Sequence, residues 1–179
     1  MKPMKKTIWL IGVIALFGIM NFVNGQDDNE NAKPPQPEKW TTMSDAKMTM
    51  GFAKDWDTHE QKDGMTGVSP DGKIRITATI SDFPTVQETL ANLEREFDSW
   101  CEGLKLSDPE YAREANGLKV DSTGGTAKLK AGGQDIDVAI DIVEIGGKTV
   151  IVVIYGLSEA MDKNFEDIVL TQESYKQAK

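Results

Sequence analysis

The chain is poor in the residues that most often carry chemistry. Its 179 residues include one cysteine, Cys101, and one histidine, His59. A single cysteine excludes an intramolecular disulfide, so an ordinary core must hold the fold. Cations are short as well: 20 Lys and Arg stand against 29 Asp and Glu, a formal net charge of −9. That balance argues against nucleic acid, whose binding rests on neutralising phosphates with Lys and Arg. It also argues against an electrostatic dock on anionic lipid. It favours solubility and is compatible with cationic ligands or partners. No G-x-S-x-G elbow, Cys–His signature or internal repeat occurs in the sequence. No apolar run reaches the roughly 20 residues of a spanning helix. The longest, Thr7 to Val23, has 17 residues and contains Gly12, Gly18 and Asn21.

What is present begins with that run. Lys2, Lys5 and Lys6 precede the apolar stretch Ile8 to Met20, and Val23 and Gly25 stand before an acidic start at Gln26-Asp27-Asp28. A basic n-region, an apolar h-region and small residues at −3 and −1 predict a signal peptide over residues 1–25. The chain is therefore expected to be exported, to a periplasm or to the medium. The alternative of a retained anchor is disfavoured by the short run, and no cysteine follows it to carry lipid. Cleavage removes three lysines and no acid, moving the net charge from −9 to −12. Residues 26–39, QDDNENAKPPQPEK, hold three prolines, four acids and no large apolar side chain, which predicts a flexible linker. Residues 40–179 remain as one globular domain, large enough to bury a core.

Within that domain Met48, Met50 and Phe52 alternate with small or polar neighbours, the period of a half-buried strand. Turn signals at Asp63-Gly64 and Pro70-Asp71-Gly72 flank a short strand, Met65 to Ser69. With the alternating Ile74, Ile76, Ala78 and Ile80 it predicts a hairpin. Val86, Leu90, Leu93, Phe97, Trp100, Cys101 and Leu104 then recur at spacings of three and four, predicting one amphipathic helix opened by Thr85 with Glu88 three residues on. Gly103 and Asp108-Pro109 mark its end and a loop. Four strands follow, Leu118–Ser122, Thr126–Ala131, Ile136–Ile145 and Thr149–Gly156, with glycine pairs at 124–125, 132–133 and 146–147 read as turns. A last helix from about Ser158 places Met161, Phe165, Ile168 and Val169 on one face. Val150 to Tyr155, VIVVIY, is apolar at every position, so that strand must be covered on both sides. These features predict an α+β fold: a largely antiparallel sheet with helices on both faces, an α/β/α sandwich.

Candidate sites are few. Asp135, Asp137 and Asp141 share one face of a strand and could offer oxygens to calcium. A two-residue Gly132-Gly133 turn would instead set Lys130 opposite Asp135 and Lys128 opposite Asp137, accounting for two of the acids by pairing. Asp141 is left over. Asp55, Asp57, Glu60 and Asp63 surround His59, but the sixth-position glycine and closing glutamate of an EF-hand are missing, so a solvated acidic loop is the plainer reading. Asp55, Asp57 and Asp141 are the candidate ligands if calcium or manganese binds; otherwise no cofactor is expected. His59, as the chain's one imidazole, could act as a general base, without a recognisable nucleophile beside it. Cys101 lies on the apolar stripe and reads as a small hydrophobe. Trp40 and Trp56 fall outside the regular elements and either line a ligand or partner surface, with His59, or plug the edge of the core.

The order of several landmarks resembles the PsbP-like superfamily. Gly51-Phe52 through Trp56 come first, then Ser69-Pro70-Asp71-Gly72-Lys73 before an alternating strand, then the amphipathic helix. Asn116-Gly117-Leu118, Gly125-Thr126-Ala127 and Gly146-Gly147-Lys148 lead into VIVVIY, and a helix with Phe165 and Ile168 closes the pattern. The resemblance covers roughly Trp40 to Ser174 and rests on turns and core positions. It implies an α/β/α sandwich and a binding or assembly protein rather than an enzyme, and it transfers no metal or partner residue. Two functions stay open. One is an exported, non-catalytic binding module for a protein or small-molecule ligand, with no nucleic acid and no stable membrane insertion of the mature chain. The other is a metal-binding or His59-dependent enzyme of the cell envelope.

Overall fold

A computed structural model describes residues 35–178. The signal peptide expected over residues 1–25, and the linker up to residue 34, lie outside the described residues. Among the described residues ten strands form two antiparallel sheets, and four short helices pack with them. In chain order the strands are β1 (Lys39–Met43), β2 (Met48–Phe52), β3 (Asp57–Glu60), β4 (Gly64–Val68) and β5 (Ile74–Ile80). Helices α1 (Val86–Ala91) and α2 (Leu93–Phe97) follow, then β6 (Cys101–Ala115), β7 (Leu118–Leu129), β8 (Asp135–Ile145) and β9 (Lys148–Gly156). Helices α3 (Ser158–Lys163) and α4 (Phe165–Glu173) and a final short strand, β10 (Lys176–Gln177), close the chain. The large sheet has the order β3-β4-β5-β9-β8-β7-β6, and the small one β1-β2-β10.

The all-apolar strand occupies the centre of the large sheet and is covered on both sides, as its sequence requires. Val150, Val152 and Ile154 of β9 enter one core with Ile74, Ile76 and Ala78 of β5. The small sheet closes that first face with Met43, Met48, Met50 and Phe52, and the last helices close it with Ala160, Met161 and Ile168. Ile151 and Val153 enter a second core on the opposite face with Ile136, Val138, Ile140 and Ile142 of β8, under Leu93 and Phe97 of α2. The α+β sandwich is thus present, with a second sheet among the covers of the first face.

Three local expectations are corrected. The stripe from Val86 to Leu104 is not one helix. Thr85 does cap it, accepting from the Glu88 amide at 3.2 Å and donating to the Glu88 carboxylate at 2.8 Å. The helix breaks at Asn92, whose amide side chain turns back to the Glu88 carbonyl at 2.8 Å. Short polar side chains compete in this way with the helical ladder. From Cys101 the chain is already a strand, which runs through the expected loop at Asp108-Pro109 with a register shift between Ser107 and Tyr111.

Gly124-Gly125 is not a turn but the buried middle of β7. A Cβ on Gly125 would run into the Lys105 carbonyl, because a bulge between Glu102 and Lys105 presses β6 onto β7 there. The β7–β8 connection is also longer than two residues. Leu129 donates to the Gln134 carbonyl at 2.9 Å, which sets Lys128 opposite Asp135 and Thr126 opposite Asp137. Lys130 instead pairs with Asp98 at 3.1 Å. Gly146-Gly147, with φ of 60° and 75°, does form the expected two-residue hairpin between Ile145 and Lys148.

Candidate functional site

The sequence-derived candidates are not gathered in one place. Trp56 is fully buried beside Phe52, ring centroids 6.0 Å apart, and its indole N–H donates to Asp167 at 3.0 Å. It is a core residue and lines no surface. Trp40 is in β1, 44% exposed, its ring under the Lys176 ammonium at 3.3 Å and packed near Gly51. Asp57 and His59 belong to edge strand β3 rather than to a loop, two residues apart and facing each other at 3.3 Å. Asp55 is exposed in the preceding turn. Asp141, on β8, lies four strands from Asp57, roughly 19 Å at the usual strand spacing, and on the opposite face. Among the described residues no three His, Cys, Asp or Glu side chains converge as metal ligands do. Cys101 is buried in the second core, and desolvation pushes its thiol pKa up.

Asp141, left over by the sequence, is explained by residues far away in the chain. One carboxylate oxygen accepts from the Ser122 hydroxyl at 2.6 Å, across from it on β7. The other accepts from Arg113 of β6 at 2.8 Å, from the Gln172 amide of α4 at 2.9 Å and from the Tyr175 hydroxyl at 2.9 Å. Burial, then the Asp141 charge, raises the Tyr175 pKa well above its ordinary value, so it stays a donor. Burial works against the Arg113 charge, but Asp141, Tyr175 and Glu173 outweigh it and raise its pKa. A buried carboxylate needs this complement of donors to be tolerated at all. The cluster pins the chain's last helix onto the large sheet and engages both oxygens of Asp141 in doing so, while Arg113 Nε and Gln172 Oε1 are buried with no hydrogen-bond partner among the described residues.

The second face of the large sheet is different. Helices α1 and α2 pack over β6–β9. Over β3–β5 the side chains of this face are exposed or half-buried. Among the described residues no helix covers them, so that half is bare, and the register lays out its rows. Asp57, Val68, Arg75 and Tyr155 stand side by side, and next to them His59, Thr66, Thr77 and Val153. Where the bare half meets α2, a cleft of about 300 Å³ opens. Its floor is Arg75, Thr77 and Thr79 with Ile151 and Val153, and its wall is Glu96, Phe97, Ser99, Trp100 and Tyr155. The rings form a contiguous wall: Trp100 lies 4.8 Å from Tyr155 and 5.4 Å from Phe97. The side chains of Arg75, Thr77, Thr79 and Ser99, the Trp100 indole N–H and the Tyr155 hydroxyl make no hydrogen bond or ion pair to another described residue. Burial raises the Tyr155 pKa, offset in part by Arg75, so its hydroxyl remains a donor near neutral pH. Glu96 is the one acid in the cleft, and one of its oxygens is held by the Ser81 hydroxyl at 2.9 Å and the Asp82 amide at 3.3 Å.

Sequence reasoning did not find this cleft. The signal was there in the polar half of the alternating strand, Arg75, Thr77 and Thr79. Trp100, however, reads as part of the apolar stripe until the helix is seen to stop before it.

Neither a family model nor a curated protein matches the sequence. Solved structures do resemble the fold. Cyanobacterial PsbP (CyanoP) from Synechocystis sp. PCC 6803 superposes with a TM-score of 0.57 at 10% identity, covering 86% of this chain and 98% of that one. LpqN of Mycobacterium tuberculosis, described as involved in cell envelope biogenesis, gives 0.48 at 13% identity over 74% of this chain and 83% of its own. PA94 from Pseudomonas aeruginosa, a protein of unknown function, gives 0.46 at 8% over 75% and 93%. The fold is PsbP-like, as the landmarks suggested, and at these identities the likeness is one of fold. No helix among the described residues is long and apolar enough to cross a membrane.

Proposed function

We propose that this chain is an exported, non-catalytic binding module that engages its partner with the bare half of the second face. The observation that carries this reading is the contrast in how polar groups are used. Asp141 and Arg113 are tied up inside the fold, whereas the donors along β5 and the aromatic wall are unengaged and accessible. Among the described residues the His59 imidazole has Asp57 as its ion-pair partner and no nucleophile beside it, and Cys101 is buried, which supports binding over catalysis. Export rests on the basic and apolar leader of residues 1–25 with Val23 and Gly25 before the acidic start.

Two measurements test it. Mass spectrometry of the protein from envelope and medium fractions should find an N-terminus at Gln26; an intact leader would contradict export. A photo-crosslinking amino acid placed at Thr77 or Thr66 should give adducts in cells that the same group at Asp162 or Glu166, on α3 and α4, does not. Equal yields from both surfaces, or none from the β4–β5 positions, would contradict the proposed surface.

A further inference from the structure

We infer that the cleft at Arg75 receives a carboxylate side chain from an extended segment of a partner protein. This deepens the proposed binding role and rests on it. The argument begins with the polarity of the cleft. Apart from the second oxygen of Glu96, the polar side-chain groups it offers are donors or hydroxyls able to donate: the Arg75 guanidinium, the Trp100 indole N–H and the hydroxyls of Thr77, Thr79, Ser99 and Tyr155. Among the described residues Arg75 has no carboxylate within ion-pair distance, in a chain with nine more acids than bases. An unpaired guanidinium can take a carboxylate bidentately.

The rings point the same way. Trp100 is flanked by Tyr155 at an interplanar angle of 31° and by Phe97 at 60°, both tilted contacts. Tilted rings packed side by side offer a ligand ring edge, the electropositive part of an aromatic, which suits an anionic group. Glu96, the one acid present, has an oxygen already committed to Ser81 and Asp82.

Size and shape choose the occupant. About 300 Å³ is at the lower end for a site that encloses a whole small molecule, and this cleft is open on one side. It is wide enough for a side chain. Beyond it the bare face continues across β5, β4 and β3, about 10 Å further at the usual strand spacing, where the rest of an extended segment can lie over Thr77, Thr66 and Val68.

The test uses the uniformly ¹⁵N-labelled full chain and two probe peptides, acetyl-Phe-Glu-Phe-amide and acetyl-Phe-Gln-Phe-amide, with sodium acetate as a third arm. The readouts are the indole N–H resonances of Trp100, Trp56 and Trp40. The Glu peptide should shift Trp100 saturably and leave Trp56, which is hydrogen-bonded to Asp167, unmoved. The Gln peptide should need about tenfold higher concentration, the factor that corresponds to roughly one charge-assisted hydrogen bond. In Arg75→Gln the preference for the Glu peptide should vanish while all three indole signals keep their folded positions. Equal responses to both peptides would leave the binding face standing and overturn the carboxylate. Acetate matching the Glu peptide would overturn the peptide and leave a small-anion site. Failure of Trp100 to respond to any of the three would overturn the inference as a whole, and the crosslinks from Thr77 would then decide the binding role separately.

Discussion

Two arginines on two faces of one sheet meet opposite fates. Arg113 reaches into the first face, 10% exposed, and is bound by Asp141 and Glu173 with its guanidinium over the Tyr175 ring. Arg75 projects from the second face where, among the described residues, no helix covers it and no acid is paired with it. The same residue type is structural in one place and available in the other, and cover by α4 makes the difference. Where an element closes the sheet, polar groups must satisfy one another to be buried. Where nothing closes it, they can wait for a ligand.

The sharpest way to break this contrast is to remove both arginines in turn. Arg113→Ala strands the buried Asp141 carboxylate and should cost about 3–5 kcal/mol of stability. Arg75→Gln removes an exposed side chain with no partner and should stay within about 0.5 kcal/mol. Urea midpoints of the two variants give the answer directly, and similar losses would deny the contrast. A second variant tests the covered half of the second face, where Gly125 stands in register with Val138 of the second core. Gly125→Ala forces a methyl group against the Lys105 carbonyl and should cost about 1–3 kcal/mol as an overpacked site.

A smaller, pH-dependent effect sits at the β4–β5 turn, which borders both regions. There Asp71 accepts from the Ser69 hydroxyl at 2.7 Å and the Lys73 amide at 3.2 Å, and lies 3.3 Å from the Lys163 ammonium of α3. These contacts, the Ser69 bond first, lower its pKa from 3.8 to about 2. A carboxyl lowered by folding stabilises the folded state above its unfolded pKa, and that contribution is lost as pH falls toward the folded value. Asp71→Asn should therefore melt below the parent at pH 6, with the gap closing as pH is lowered from about 4 to about 2. A gap that is constant with pH would reject the assignment. The smallest expected effect is none: calcium or manganese at millimolar excess should leave the melting temperature unmoved, since a specifically bound ion must stabilise the fold. A rise abolished by Asp57→Asn would restore the metal-binding alternative.

Much of the scaffold was legible in the residues themselves. Alternation of Ile74, Ile76, Ala78 and Ile80 marks β5, and the unbroken VIVVIY marks a strand covered on both sides. The glycine pair at 146–147 marks a hairpin. The misreadings have two causes: contact between distant segments overrides local pattern at Gly124-Gly125 and Asp141, and a local side-chain bond at Asn92 breaks the helical stripe. Gly124-Gly125 looks like a turn unless β6 is known to press on it. The stripe through Trp100 and Cys101 has a helical period, yet the chain has left the helix by then, and that is what frees Trp100 to line the cleft. Asp141 could not be explained from β8 because two of its four donors, Gln172 and Tyr175, are more than 30 residues away.

The claim that the bare face is for binding while the closed face is for stability has one direct test. Crosslinking from Thr77 in cells is compared between the parent and Arg75→Glu, with the urea midpoint of each protein measured alongside. The expected result is loss of the adducts at an unchanged midpoint. Adducts that persist in Arg75→Glu, or that disappear only as the midpoint falls, would contradict it.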